Sequence, residues 1–127
     1  MALELVSDQH HRRAVEIWNE VTNAPFHFVT TSYVFDEMIT FLNSRNHHAK
    51  AVEAGENLLL SPHVTFVHVD ADLFFDGWKM FQTYDDKRFS LTDCISFITM
   101  KSHDLSIALS FDNDFEKAGF VVNVLDV

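Results

Sequence analysis

The chain has 127 residues, which is enough for one compact domain and too few for two ordinary ones. Hydrophobic residues make up 47% and charged residues 22% of the sequence, and this composition excludes an intrinsically disordered chain. The net charge is −10, because 19 acidic residues face 9 basic ones. This excess argues against a protein that binds nucleic acid through a basic surface alone.

The excess of acids does not exclude a nuclease that holds divalent cations among carboxylates, since the metal then supplies the positive charge. No apolar stretch approaches the length of a membrane span, and the N-terminus shows no signal peptide. Cys94 stands alone, so it cannot form an internal disulfide. We therefore expect a single domain over residues 1–127 that is located in the cytoplasm.

Apolar residues alternate between helical and extended spacing along the whole chain. The predicted helices start at residues that can cap them, and in chain order they run from Ser7 or Asp8 to about Val21, from Thr31 or Ser32 to about Leu42, from about His47 to Leu60, from Asp70 to about Tyr84, and from Ser90 to about Ser102. The predicted strands are His27–Thr30, Val64–Val69, Ser106–Phe111 and Phe120–Leu125, with a short helical turn at Asn113–Lys117. This alternation predicts an α/β domain with a mainly parallel sheet covered by helices on both faces.

Three acids lie where the local pattern favours an apolar or structural residue. Glu37 lies at the edge of the apolar face of its helix, Asp93 opens a strongly apolar helix, and Asp112 directly follows a strand. In parallel α/β sheets, ligands bind beyond the carboxyl ends of the strands, where helix N-termini also open. Carboxylates that converge there would repel one another unless a divalent cation with oxygen ligands were bound.

Each acid also has a structural explanation. Ser90 and Asp93 have the spacing of a capping box, in which the carboxylate also favours the helix dipole. Asp112 could be an ordinary turn residue, and Glu37 could be a solvated flank of an amphipathic helix. Composition and spacing alone leave both interpretations open.

Four longer segments resemble one family in order and separation. Ser90–Phe97 is very similar to the segment that carries the third acid of PIN domains of the VapC toxin type. Ala108–Phe120 resembles the closing segment of that family, Thr30–Glu37 its second-acid segment, and Asp8–Ala14 its first helix. The resemblance implies a PIN-like three-layer fold and a metal-dependent endoribonuclease that acts as the toxin of a type II toxin–antitoxin system.

The resemblance also implies the site residues. Glu37, Asp93 and Asp112 would be catalytic ligands of Mg²⁺ or Mn²⁺, with Asp114 as a further ligand. Thr92 would orient a ligand or a water molecule, and Lys87 and Arg88 would meet the RNA backbone, although a solvated basic pair is an alternative. The expected partners are an RNA substrate and a cognate antitoxin protein.

The chain departs from the family pattern at its start. PIN domains begin with a buried central strand that ends in Asp, and Met1–Val6 resembles the family's segment immediately after that Asp. We therefore expect the first central strand to be absent from this chain, together with its carboxylate. The true start could lie upstream, the sheet could be rearranged, or a second chain could complete it by strand exchange. We predict that the chain self-associates into a homodimer, in which such an exchange can take place.

Two other functions remain open from the sequence. One is an inactive PIN remnant that keeps the fold and binds a partner protein. The other is a small α/β interaction module whose acids only keep the surface soluble.

Overall fold

A computed structural model gives the structure of the chain. It describes residues 2–3, 27–85, 88–105, 107–110 and 121–124, and describes side chains within 27–85 and 88–105. The helix predicted from Ser7 or Asp8 to about Val21 and the turn predicted at Asn113–Lys117 lie outside these ranges.

The described strands form one five-stranded sheet in the order β3-β2-β1-β4-β5. In chain order they are β1 (Ala2–Leu3), β2 (Phe28–Thr31), β3 (Val64–Val67), β4 (Ile107–Ser110) and β5 (Val121–Val124). Every described pair of neighbouring strands is parallel. The predicted parallel sheet is therefore confirmed.

The centre of the sheet differs from the expectation of a missing first strand. Ala2–Leu3 lies between β2 and β4, with Ala2 opposite both Val29 and Ala108, and Leu3 opposite Leu109. The central position is therefore not empty, although β1 has two residues and each other strand has four. These two residues supply ladder partners to both neighbours, which removes the physical reason for expecting strand exchange at this point.

The described helices are α1 (Ser32–Ser44), α2 (His48–Leu60), α3 (Ala71–Thr83) and α4 (Leu91–Ser102). The connection from β2 to β3 contains α1 and α2, and the connection from β3 to β4 contains α3 and α4. The two connections cross the sheet in opposite directions. Because parallel crossovers are right-handed, the two helix pairs cover opposite faces, which gives the predicted three layers.

Side-chain caps start three of these helices at the predicted residues. The Thr31 hydroxyl accepts from the backbone N–H of Val34 at 3.3 Å, and the Asp70 carboxylate accepts from that of Leu73 at 2.8 Å. The third cap is at Ser90, the residue before α4. None of the helices in the described ranges has the length and apolar character needed to cross a membrane.

The helix α4 is the most buried of the described helices. Cys94, Ile95, Phe97 and Met100 on this helix are between 0% and 1% exposed. Apolar residues surround this helix, as the sequence predicts. They are buried because α3 packs against one side of it and β2 lies against another. The acid at its first turn is thus attached to a rigid part of the core.

Candidate functional site

Asp93 lies at the third position of α4 and is 5% exposed. Its backbone N–H donates to the Ser90 hydroxyl at 3.0 Å, and its Oδ2 atom accepts from the Ser90 N–H at 3.1 Å. The capping box predicted from the sequence is therefore present. The Oδ1 atom makes no hydrogen bond within the described ranges, so the capping role uses one carboxylate oxygen and leaves the other available.

The thiol of the next residue, Cys94, has a pKa that is affected by the Asp93 carboxylate. Burial, and to a smaller extent the negative charge of Asp93, together raise the pKa of the Cys94 thiol from 9.0 to about 11. Cys94 is fully buried, so the thiol stays protonated at neutral pH. It acts as a small packing residue and not as a nucleophile.

Glu37 lies in the second turn of α1, the helix that begins directly after β2. It follows the buried residue Val34 by three positions and precedes the buried Met38, which places it at the edge of the core-facing side. The residue is half-buried, and its Oε1 atom is itself buried. Glu37 is therefore more enclosed than a solvated flank of an amphipathic helix would be.

The carboxyl ends of β2 and β3 are joined where α1 begins. The Ser32 hydroxyl accepts from the backbone N–H of Val69 at 2.9 Å, and Thr30 and Thr31 are both buried beside it. Local sequence patterns identify Thr31 and Ser32 only as possible helix starts and do not predict this link. The signal is two threonines at the end of a buried strand, where apolar residues would be usual.

The remaining predicted site residues are only partly described. Thr92 is half-buried beside Asp93, and Arg88 is exposed ahead of α4. Lys87, Asp112 and Asp114 lie outside the described ranges. Within those ranges no three His, Cys, Asp or Glu side chains come close enough to hold a metal ion. The described part of the chain thus contains two of the predicted carboxylates, on α1 and α4.

Residues 2–121 match the family model of the PIN domain. The chain is 35% identical over 120 residues to proteins from two strains of Mycobacterium tuberculosis, each named 23S rRNA-specific endonuclease VapC20. The match covers 94% of this chain and 88% of each relative.

Solved structures show the same similarity. The crystal structure of M. tuberculosis VapC20, described as a Sarcin-Ricin loop cleaving toxin, has a TM-score of 0.75 and 30% identity, covering 95% of this chain and 97% of that one. A toxin–antitoxin complex from Klebsiella pneumoniae has a TM-score of 0.60 over 99% of this chain and 98% of that one. At 13% identity, that second similarity indicates the fold alone. The chain belongs to the PIN-domain family and, within it, to the VapC type.

Proposed function

We propose that this chain is a metal-dependent endoribonuclease and the toxin of a type II toxin–antitoxin system. The observation that carries the proposal is the 35% identity, over 94% of the chain, to a 23S rRNA-specific endonuclease. The sequence resemblance and the fold agree with it, because Glu37 lies on the helix that directly follows β2 and Asp93 lies in the first turn of α4, on the two connections between parallel strands.

Asp93 has the environment expected of a metal ligand. One oxygen is held by the capping box and the other has no described hydrogen-bond partner, so the carboxylate is oriented without being fully used. Carboxylate oxygens are the donors that Mg²⁺ and Mn²⁺ prefer. The donor chemistry therefore fits a divalent cation at this residue.

The topology supports a common edge for the proposed ligands. Four residues join α4 to β4, so the end of α4 lies near the amino end of that strand and Asp93 lies toward the opposite edge. Glu37 follows the carboxyl end of β2, and Asp112 follows the end of β4 by two residues. We propose Glu37, Asp93 and Asp112 as ligands, with Asp114 as a fourth.

PIN nucleases generally depend on divalent metal ions. When bound, Mg²⁺ or Mn²⁺ would supply positive charge at the scissile phosphate and acidify the attacking water. The chain's own contribution would be to hold the carboxylates in place and to position the RNA. Thr92 would orient a ligand or water beside Asp93, and Lys87 with Arg88 would contact the RNA backbone ahead of α4.

The proposed partners are an RNA and a cognate antitoxin, and the proposed location is the cytoplasm. Self-association into a homodimer remains a prediction, but without strand exchange at the centre of the sheet, because Ala2–Leu3 occupies that position. Light scattering at micromolar concentration tests it, and a clean monomer would contradict it.

One observation favours a second candidate, an inactive PIN protein that still binds a partner. In the family the first strand ends in an Asp, whereas the two residues of β1 are Ala2 and Leu3, which carry no carboxylate. A site with one acid fewer would bind a divalent cation more weakly.

Cleavage of a stem-loop RNA with the sarcin–ricin loop sequence, in Mn²⁺, distinguishes the two candidates. We expect Asp93→Asn to lower the cleavage rate by at least about 100-fold, the order of loss when one group that stabilises a transition state is removed. Because Asn can still accept from the Ser90 N–H, the cap and the melting temperature should change little. Asp76→Asn, at an exposed acid of α3, is the matched control.

Two outcomes would contradict the proposal. Cleavage that persists in Asp93→Asn would mean that this residue is not a ligand. Absence of cleavage by the unaltered chain, with antitoxin binding retained, would favour the inactive candidate.

A further inference from the structure

His68 is exposed directly after β3, at the carboxyl edge of the sheet. The strand β3 pairs with β2, and the helix that carries Glu37 begins where β2 ends. His68 therefore lies at the same edge of the sheet as the proposed metal site, one strand away from the start of α1. An exposed side chain at this edge is accessible to a substrate that approaches the site.

The ring of His68 packs against the neighbouring strand residue. Its centroid lies 4.8 Å from that of Phe66, and the two rings meet edge to face. The Phe66 ring in turn meets the ring of Phe35 on α1 edge to face at 5.4 Å. Two aromatic contacts therefore connect His68 to α1, and they place its ring on the face of the sheet that α1 and α2 cover.

The backbone that follows His68 is also fixed. The N–H of Val69 donates to the Ser32 hydroxyl at 2.9 Å, which ties the residue after His68 to the first turn of α1. The next residue, Asp70, uses its carboxylate to cap α3. The connection between β3 and α3 is thus held at both residues after His68, although His68 itself is exposed.

The imidazole nitrogens of His68 make no hydrogen bond within the part of the chain that the structure describes. By contrast, the histidines at positions 27, 48 and 103 each have a hydrogen bond from a ring nitrogen. The ring of His68 is therefore held in place by packing while its polar atoms face no described partner. Such a preorganised side chain loses little conformational entropy when it binds a ligand.

An RNA that reaches this edge meets an excess of negative charge. The proposed metal ligands Glu37, Asp93 and Asp112 are all acids, and the whole chain has a net charge of −10. Phosphates therefore need N–H donors or cations in addition to the metal ion. Arg88 is exposed ahead of α4, the helix on the other face of the sheet from His68. One donor on each face would hold a backbone that lies across the edge between them.

We propose that His68 binds the RNA substrate by donating a hydrogen bond from its imidazole to a backbone phosphate oxygen near the cleavage site. The imidazole contributes to binding and takes no part in the bond-breaking step. A phosphate contact of this kind positions the RNA and does not read its sequence. This inference rests on the proposed nuclease function, and it adds a substrate contact that lies outside the carboxylates.

Fluorescence anisotropy of a labelled stem-loop RNA with the sarcin–ricin loop sequence measures binding apart from cleavage. The full chain is used in Ca²⁺, which also binds to carboxylate oxygens. His68→Phe removes the N–H donors and keeps a ring that can pack against Phe66. We expect this variant to raise the Kd for RNA about tenfold, as for the loss of one hydrogen bond to a charged group, and to keep the melting temperature of the unaltered chain.

The same substitution at a second exposed histidine is the matched control. His103 follows α4 near the amino end of β4, at the opposite edge of the sheet, so His103→Phe should leave the Kd unchanged. His68→Lys should recover most of the affinity that His68→Phe loses, because Lys supplies another donor to a phosphate. The affinity for Mn²⁺, measured by calorimetry, should be the same in His68→Phe and in the unaltered chain.

Several results would overturn the proposal. An unchanged Kd in His68→Phe would mean that the N–H does not bind RNA, and equal losses in His68→Phe and His103→Phe would mean that the effect is not local. A lower Mn²⁺ affinity in His68→Phe would make His68 a metal ligand instead, and a lower melting temperature would make its role structural. If the unaltered chain bound RNA through His68 and did not cleave it in Mn²⁺, only the nuclease activity would be contradicted. Cleavage with an unchanged KM in His68→Phe would contradict only the role of His68.

Discussion

The two helix pairs of this protein each contain a buried glycine that faces the neighbouring helix, and the two glycines have different surroundings. A Cβ atom at Gly77 would lie 2.5 Å from the Ile95 Cγ1 atom and 3.5 Å from its Cα atom. A Cβ atom at Gly55 would lie 3.2 Å from the ends of two flexible side chains, those of Ile39 and Phe35. The α3–α4 contact is therefore closed by the base of the Ile95 side chain, whereas the α1–α2 contact has room to adjust.

The two glycine contacts are similar in kind, but the difference in packing suits them to different roles. On the α3–α4 side, close packing holds α4 and with it the Asp93 carboxylate, which suits a site that needs fixed ligands. On the α1–α2 side, the contact at the buried Gly55 leaves a groove, and Val52 and Leu59 at its rim remain exposed. The tightly packed pair α3–α4 and the pair α1–α2 with its open groove therefore lie on opposite faces of one sheet.

The largest expected change in stability comes from the packed core around α4. Phe97 is 1% exposed, and its ring meets that of Phe89 edge to face at 5.0 Å. We expect Phe97→Ala to lower the free energy of unfolding by about 3–5 kcal/mol, because it creates a cavity in a packed core. Urea denaturation measures this, with Phe75→Ala as control, since Phe75 is 56% exposed and should change stability by no more than about 0.5 kcal/mol.

The second-largest expected effect is a loss of folding stability at alkaline pH, caused by ionisation of Cys94 on α4. The pKa of Cys94 is about 11 in the folded chain against 9.0 as its ordinary value, so the unfolded chain releases the proton first. The stability contributed by the protonated thiol is fully present below pH 9 and is lost as pH rises to about 11, an effect of up to roughly 3 kcal/mol.

Urea midpoints at several pH values, with EDTA present, measure this loss. Cys94→Ala is the control, because it removes the titrating group and leaves the other alkaline titrations. If the two proteins lost stability in parallel between pH 9 and 11, the thiol would not be held protonated by burial.

Gly77→Ala tests the closeness of the α3–α4 contact directly. We expect a loss of about 1–2 kcal/mol, because overpacking against Ile95 exceeds the gain in helix propensity that Ala brings over Gly. A double-mutant cycle with Ile95→Ala should recover part of the loss by removing the contacted Cγ1 atom. Purely additive effects would mean that the glycine is required for another reason.

Gly55→Ala gives the smallest expected effect. Its neighbours are the far ends of Ile39 and Phe35, which can move aside by a few tenths of an ångström. The helix propensity of Ala should therefore leave stability unchanged or raise it by up to about 1 kcal/mol. Thermal unfolding beside Gly77→Ala makes the comparison, and an equal loss in both variants would mean that the two helix contacts are alike.

Local sequence patterns were sufficient for the described elements other than β1, and for their caps. The strand at Phe28–Thr31 and the helices capped by Thr31, Asp70 and Ser90 lie within a residue or two of their predicted bounds. These predictions depend on periodicity and on a hydroxyl or carboxylate within three residues of a backbone N–H. The capping box at Asp93 was visible for the same reason.

The site could be predicted only in part. Three acids at distinctive positions and a family resemblance selected Glu37, Asp93 and Asp112, but whether they converge depends on residues far apart in sequence. The burial of Glu37 could not be predicted, because its position at the edge of the helix face is compatible with either solvent or core. Its enclosure depends on the elements that pack against that edge.

The sequence by itself determined the α/β class, the helix starts and the fully apolar character of α4, because each depends on contacts within a few residues. Tertiary structure alone decided that Ala2–Leu3 lies at the centre of the sheet, since its ladder partners are Val29, Ala108 and Leu109. It also decided the different packing at Gly55 and Gly77. A glycine in a helix looks the same in either sequence context, and only the element packed against it determines whether the contact is closed or leaves a groove.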